Sequence, residues 1–147
     1  LYAQAQSPGS AYYDSITLTP AVPERNGVAN GDFEYGSDFA HSGWSWSTRE
    51  QTGSAEIVPE GHQGRGLKVQ FDGQKDWTVI NSATIGQAVE AGQTWRVSAW
   101  VKCKDTTHLD LILVGMLNGR VVDYGLTSDG IEGTTDWKLL EATADIP

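Results

Sequence analysis

The chain holds three histidines, His41, His62 and His108, scattered among 147 residues with no His/Asp/Ser motif and no His-Glu-x-x-His pair. Its nineteen acids include none in the setting of a catalytic carboxylate pair, and bond cleavage would need two of them facing each other across a cleft. The residues that stand out are aromatic and amide. Trp77, in "DGQKDWTVIN", follows polar neighbours, which predicts a partly exposed indole where a strand begins. In "TWRVSAWVKC", alternation sets Trp95, Val97, Ala99 and Val101 on one side and Arg96, Ser98, Trp100 and Lys102 on the other. The first set reads as core. The second reads as a ligand face or as packing beneath loops, and Tyr124, in "RVVDYGL", has the same two readings. In "LYAQAQ", Tyr2, Gln4 and Gln6 alternate with Ala3 and Ala5, as binding groups or as an ordinary solvated strand face. An amide both donates and accepts, and Arg96 and Asp110 could orient hydroxyls in the same way. Trp44 and Trp46 share one side of "GWSWS" and either rim a cleft or cap the core, Trp44 being the better core candidate. Aromatic planes ringed by such groups hold a ligand rather than cut one.

The elements that must position these residues are strands. Seventeen Gly, five Pro and short Val/Thr-rich runs are separated by turn signals, and no helix-length window keeps a 3.6-residue apolar period. Strands are expected at "TWRVSAWVKC", "GLKVQFD", "HLDLILVGM", Ser54–Val58, Thr84–Val89, Arg120–Leu126 and Trp137–Ala144. Turns are expected at "EGHQGRG", "EAGQ", "LNGR" and "TSDGIEGTTD", with Asn118-Gly119 as a hairpin signal. Many antiparallel strands with short turns mean an all-β, two-sheet sandwich or barrel. The length suits one domain. A formal charge of −9 without a basic cluster argues against nucleic acid or an anionic membrane as partner. Cys103, the only cysteine, excludes a disulfide framework and reads as an inert thiol in an apolar strand. No signal peptide or membrane span is evident, and a chain opening in mid-strand reads as a fragment, so a missing leader says little.

The order of the elements is odd. "AYYDSITLTP" reads as an ending, "PAVPERNG" (20–27) as a linker, and "NGDFE" as a first strand. Residues 1–19, two strands at most, cannot bury a core alone. They are expected to complete the body at 28–147, within one molecule or by exchange with a neighbour or tandem module.

In sequence, "NGVANGDFEYG", "SGWSWS", "EGHQGRGLKV", "AVEAGQTWRVSAWVK" and "GTTDWKLLEATADIP" resemble the β-jelly-roll carbohydrate-binding modules of the group that includes families 4, 9, 16 and 22. The opening segment resembles the closing hairpin of such modules, in circularly permuted or boundary-spanning order. The resemblance implies an antiparallel jelly-roll sandwich that binds a polysaccharide of β-glucan, xylan or mannan type on a concave sheet. No bond would be broken. The module would be secreted and would target an appended glycoside hydrolase or polysaccharide lyase. The ligand residues it suggests are Trp77, Trp100, Tyr124, Gln4, Gln6, Tyr2, Arg96, Asp110 and Trp46. It also implies a structural Ca2+ held by Asp14 and Glu34, with main-chain carbonyls from Asp32, His62 and Arg65. A structural or adhesion spacer with the same fold and no sugar site is the alternative. That spacer would bury Trp77, Trp100 and Tyr124.

Overall fold

A computed structural model of the chain describes residues 2–5, 9–20, 27–48, 50, 52–73, 77–81, 89–118 and 120–146. The strands are β1 (Tyr2–Ala5), β2 (Gly9–Pro20), β3 (Trp44–Thr48), β4 (Ser54–Val58), β5 (Gly66–Phe71), β6 (Trp77–Asn81), β7 (Thr94–Leu117), β8 (Arg120–Thr127) and β9 (Ile131–Asp145). One turn of 3₁₀ helix, Phe39–His41, precedes β3. All strand pairs are antiparallel, and they build a two-sheet β-sandwich of jelly-roll type. The front sheet runs β3-β6-β1-β7-β8 and the back sheet β4-β5-β2-β7-β9.

Alternation decides which side of each strand meets the other sheet. Tyr13, Leu67, Val69, Phe71, Val97, Ala99 and Val101 fill the back half of the core, and Val79, Leu109 and Leu111 fill the front half. Phe33 and Trp44 close one end, their ring centroids 5.2 Å apart. Trp95 and Cys103 are buried as expected.

The first twenty residues take central places. β1 lies between β6 and β7 in the front sheet, and β2 lies between β5 and β7 in the back sheet.

Three expectations are corrected. "NGDFE" forms a turn, not a strand: Asn30 and Phe33 adopt left-handed backbone, φ 51° and 58°. The Asn30 amide spans that turn by accepting from Tyr35 N and donating to Tyr35 O and Ser42 O. "TWRVSAWVKC" and "HLDLILVGM" are one continuous strand, β7, which passes from the back sheet to the front, with Asp105 at φ 57° in between. "TSDGIEGTTD" is only partly turn, because β9 starts at Ile131 and pairs with Leu109 and Thr106. Thr84–Gln87 and Ala88 lie outside the described residues, and Val89 is exposed and outside any strand.

Candidate functional site

The front sheet aligns two neighbouring rows out of step with the core-facing Val79 and Leu111, one polar throughout and one mixed. One row runs Ser47, Thr78, Gln4, Asp110; the next runs Ser45, Ile80, Tyr2, Ile112, Thr127. Ser45 and Ser47 are exposed, and the Ser47 hydroxyl lies 3.0 Å from that of Thr78. Thr78 and Asp110 are buried; Asp110 Oδ2 lies 3.3 Å from the exposed His108 ring, while its Oδ1 has no hydrogen-bond partner among the described residues. The rows in between pair Trp46 with Val79, and Val79 with Ala3 and Leu111 with Ala3. Trp46 accordingly packs half-buried against the core, beside the buried Trp44.

The expected ligand residues thus divide between two sheets. Tyr2, Gln4 and Asp110 share the front-sheet rows. Trp77 pairs with Ala5 and Thr48, and Tyr124 lies in β8 between Asp123 and Leu126, which pair with Gly115 and Leu113. Gln6 and the side chains of Tyr2, Gln4, Trp77 and Tyr124 lie outside the described residues. Trp100 and Arg96 belong instead to the back sheet. Trp100 pairs with Asp14 and Leu139, and the His62 ring stacks on it at 4.0 Å and 8°. Arg96 is exposed and paired with Glu141 at 3.3 Å. Beside them, Lys102 Nζ sits 4.4 Å from the Tyr12 ring and 5.1 Å from that of Trp137. The residue that covers Trp100 could not be read from strand alternation, because it comes from a loop thirty-eight residues earlier in the chain. Ser45, Ser47 and Thr78 were legible: they alternate with Trp and Val in "WSWST" and "WTVIN".

A second constellation forms around the turn 61–65. Asp14 is fully buried. Its Oδ2 accepts from Gln63 N at 2.5 Å, and its Oδ1 from Ser15 N at 2.6 Å. Burial pushes its carboxyl up, against hydrogen bonds from Gln63 and Ser15 that pull it down. Glu34 Oε1 accepts from Arg65 N at 2.8 Å, and the Arg65 guanidinium donates to Gly36 O at 3.0 Å. Gly64 has φ 72°, and a Cβ there would lie 2.3 Å from Glu34 Oε1, so only glycine lets the carboxylate approach. The structure therefore brings Asp14, Glu34, His62 and Arg65 to one turn. Among the described residues no group of three or more His, Cys, Asp or Glu gathers as a metal site. Two carboxylates with main-chain oxygens would not form such a group, yet they are the hard donors calcium takes. A fully buried carboxylate without an ion-pair partner among the described residues fits a cation, and on that ground the donor set is compatible with Ca2+.

A two-sheet sandwich with a polar row across one sheet sets out hydrogen-bonding groups for a ligand. The chain belongs to the Carbohydrate binding domain family (CBM_4_9), whose model matches residues 25–147, and is a non-catalytic carbohydrate-binding module rather than an enzyme. β1 and β2 precede the matched range and complete both sheets within it. No curated protein and no solved structure gives a significant match.

Proposed function

We propose that the module binds a neutral polysaccharide of β-glucan, xylan or mannan type across the outer face of the front sheet. The observation that carries this reading is the ladder register that sets Gln4 and Tyr2 among Thr78, Ser47 and Asp110. Hydroxyl, amide and carboxylate groups in adjacent rows can exchange hydrogen bonds with successive sugar hydroxyls. Tyr124, on the flanking strand β8, would supply an aromatic plane, whereas Trp77 falls in register step with the core-facing Val79. Each new hydrogen bond replaces one to water, so the affinity is modest and built from several contacts. The module would be extracellular and would hold an appended glycoside hydrolase or polysaccharide lyase near its substrate by raising effective concentration. β1 and β2 would be the family's closing strands set ahead of its opening turn.

Asp14, Glu34 and the carbonyls of Asp32, His62 and Arg65 would hold a structural Ca2+. The ion would supply positive charge that offsets the burial of Asp14 and pins the turn 61–65 to β2.

Affinity electrophoresis in gels containing β-glucan, xylan or mannan tests the sugar reading. Gln4→Ala should weaken retardation by roughly threefold to tenfold, the worth of one or two hydrogen bonds. Wild-type protein that runs unretarded in all three gels would favour the spacer reading.

A further inference from the structure

A groove of about 290 Å³ opens where β2 meets the turn that follows Val28, remote in sequence and in strand membership from the front-sheet rows. Its walls include Ser15, Ile16, Thr17, Asn30, Asp32 and Tyr35. The β2 ladder shifts register between Asp14 and Thr17, and Ser15 takes a left-handed φ of 51°. That bulge opens one side of the groove. The floor is close-set backbone: Ile16 N donates to Gly31 O at 2.7 Å, and a Cβ on Gly31 would lie 1.9 Å from Ile16 O. Asn30 fixes the opposite rim by gripping the Tyr35 backbone at both its N–H and its carbonyl.

Held in this way at the rim, Tyr35 leaves its side chain 79% exposed, the most exposed of the large hydrophobic residues described. Its backbone is fastened and its ring is not packed away. Asp32, on the same groove wall, is exposed, and its carboxylate accepts from Glu34 N at 3.4 Å; the Ser15 hydroxyl is a further polar group of the lining. An exposed aromatic ring and hydrogen-bond acceptors that line one groove suit a ring with a C–H face and an equatorial belt of hydroxyls. The volume lies at the low end for small-molecule sites, which fits one ring rather than a chain segment. Asp32, with Glu34 and Asp14 close by in the same turn region, disfavours a carboxylated sugar.

We propose that this groove is a second carbohydrate site, which takes a single neutral pyranose unit with Tyr35 as the stacking platform and Asp32 as the hydroxyl acceptor. It relies on the family's carbohydrate binding and not on the front-sheet reading. The two sites would give one module two grips on a polysaccharide, an internal stretch on the sheet and a terminal or branch unit in the groove.

The test is a ¹H–¹⁵N NMR titration at fixed saturating calcium with cellohexaose, xylohexaose and mannohexaose, on wild type, Tyr35→Ala, Tyr35→Phe and Asp32→Asn. At least one sugar should shift the amides of residues 15–17 and 30–35 in wild type. Tyr35→Ala should weaken that response about fivefold to tenfold, in line with the loss of one stacking contact, while Tyr35→Phe keeps it. Asp32→Asn should weaken it too, and unchanged spectra elsewhere establish that each variant is folded. Groove amides that stay still with all three sugars, or a groove response unaffected by Tyr35→Ala, would overturn the proposal. Shifts confined to Ser45, Ser47, Thr78 and Asp110 would overturn it and leave the front-sheet reading standing. Shifts confined to the groove would do the reverse.

Discussion

Among the described residues, the Asp14 carboxylate takes its hydrogen bonds from the Ser15 and Gln63 amides and the Ser15 hydroxyl, in the field of His62. A buried charge so placed opposes folding unless a cation joins it. With calcium bound, wild type should melt several degrees higher than in EDTA, and Asp14→Asn should abolish that difference while melting no lower than wild type in EDTA. Differential scanning calorimetry at two calcium concentrations reads both. An equal melting temperature for wild type with and without EDTA would remove the ion from the account. The turn itself sets a second limit at this scale. At Gly31, a methyl group would meet the Ile16 carbonyl, which is backbone and cannot rotate away. Gly31→Ala should therefore cost about 1–3 kcal/mol in urea unfolding, the ordinary range for overpacking.

At the scale of elements, the 3₁₀ turn Phe39–His41 is capped by Asp38, whose Oδ1 lies 3.2 Å from His41 N and 2.7 Å from the His41 ring nitrogen. The hydrogen bond from His41 holds the Asp38 carboxyl below its usual value. A carboxyl lowered in the folded state stabilises above its unfolded value, and that gain is lost as pH falls through the folded one. The stability gap between wild type and Asp38→Asn should thus shrink as pH drops below the carboxylate range, in urea titrations repeated at several pH values. A gap that is flat with pH would mean the cap acts without its charge. Elements were also where sequence reading met its limits. Period-two alternation exposed β5 almost residue for residue, since it has one buried and one wetter side, while β4 only half-buries Ala55 and Ile57. It could not show that β7 runs unbroken through "KDTT", because polar residues there mark the passage between sheets and not a turn. Nor could it separate the two sheets' outer faces: Trp100 and Gln4 both obey alternation, and only strand pairing shows that they belong to different surfaces. His62 over Trp100 is a loop-to-strand contact of a kind that no local pattern reports.

For the whole molecule, the decisive placement is that of the first twenty residues. β1 and β2 each satisfy two neighbours, so deleting residues 1–20 would open both sheets at their centres and strip backbone partners from β5, β6 and β7. The truncated chain should lose the dispersed amide spectrum of the intact module; a truncate with native-like dispersion would show that the remaining strands can close without them. The sequence marked residues 1–19 as strands too few to bury a core alone, and the expected closing hairpin is corrected: β1 and β2 enter different sheets and, among the described residues, do not pair with each other. Alternation could not show this, because register is a property of pairs of strands.

The central seating of β1 and β2 also governs how the module would bear load. A tether pulling ahead of Tyr2 drags strands that are bonded along both flanks, so two ladders must shear together before anything gives way. A pull applied beyond Asp145 acts on β9, which is bonded to β7 alone among the described residues, along eleven paired positions. Load entering from the two ends would thus be carried by different sets of ladders.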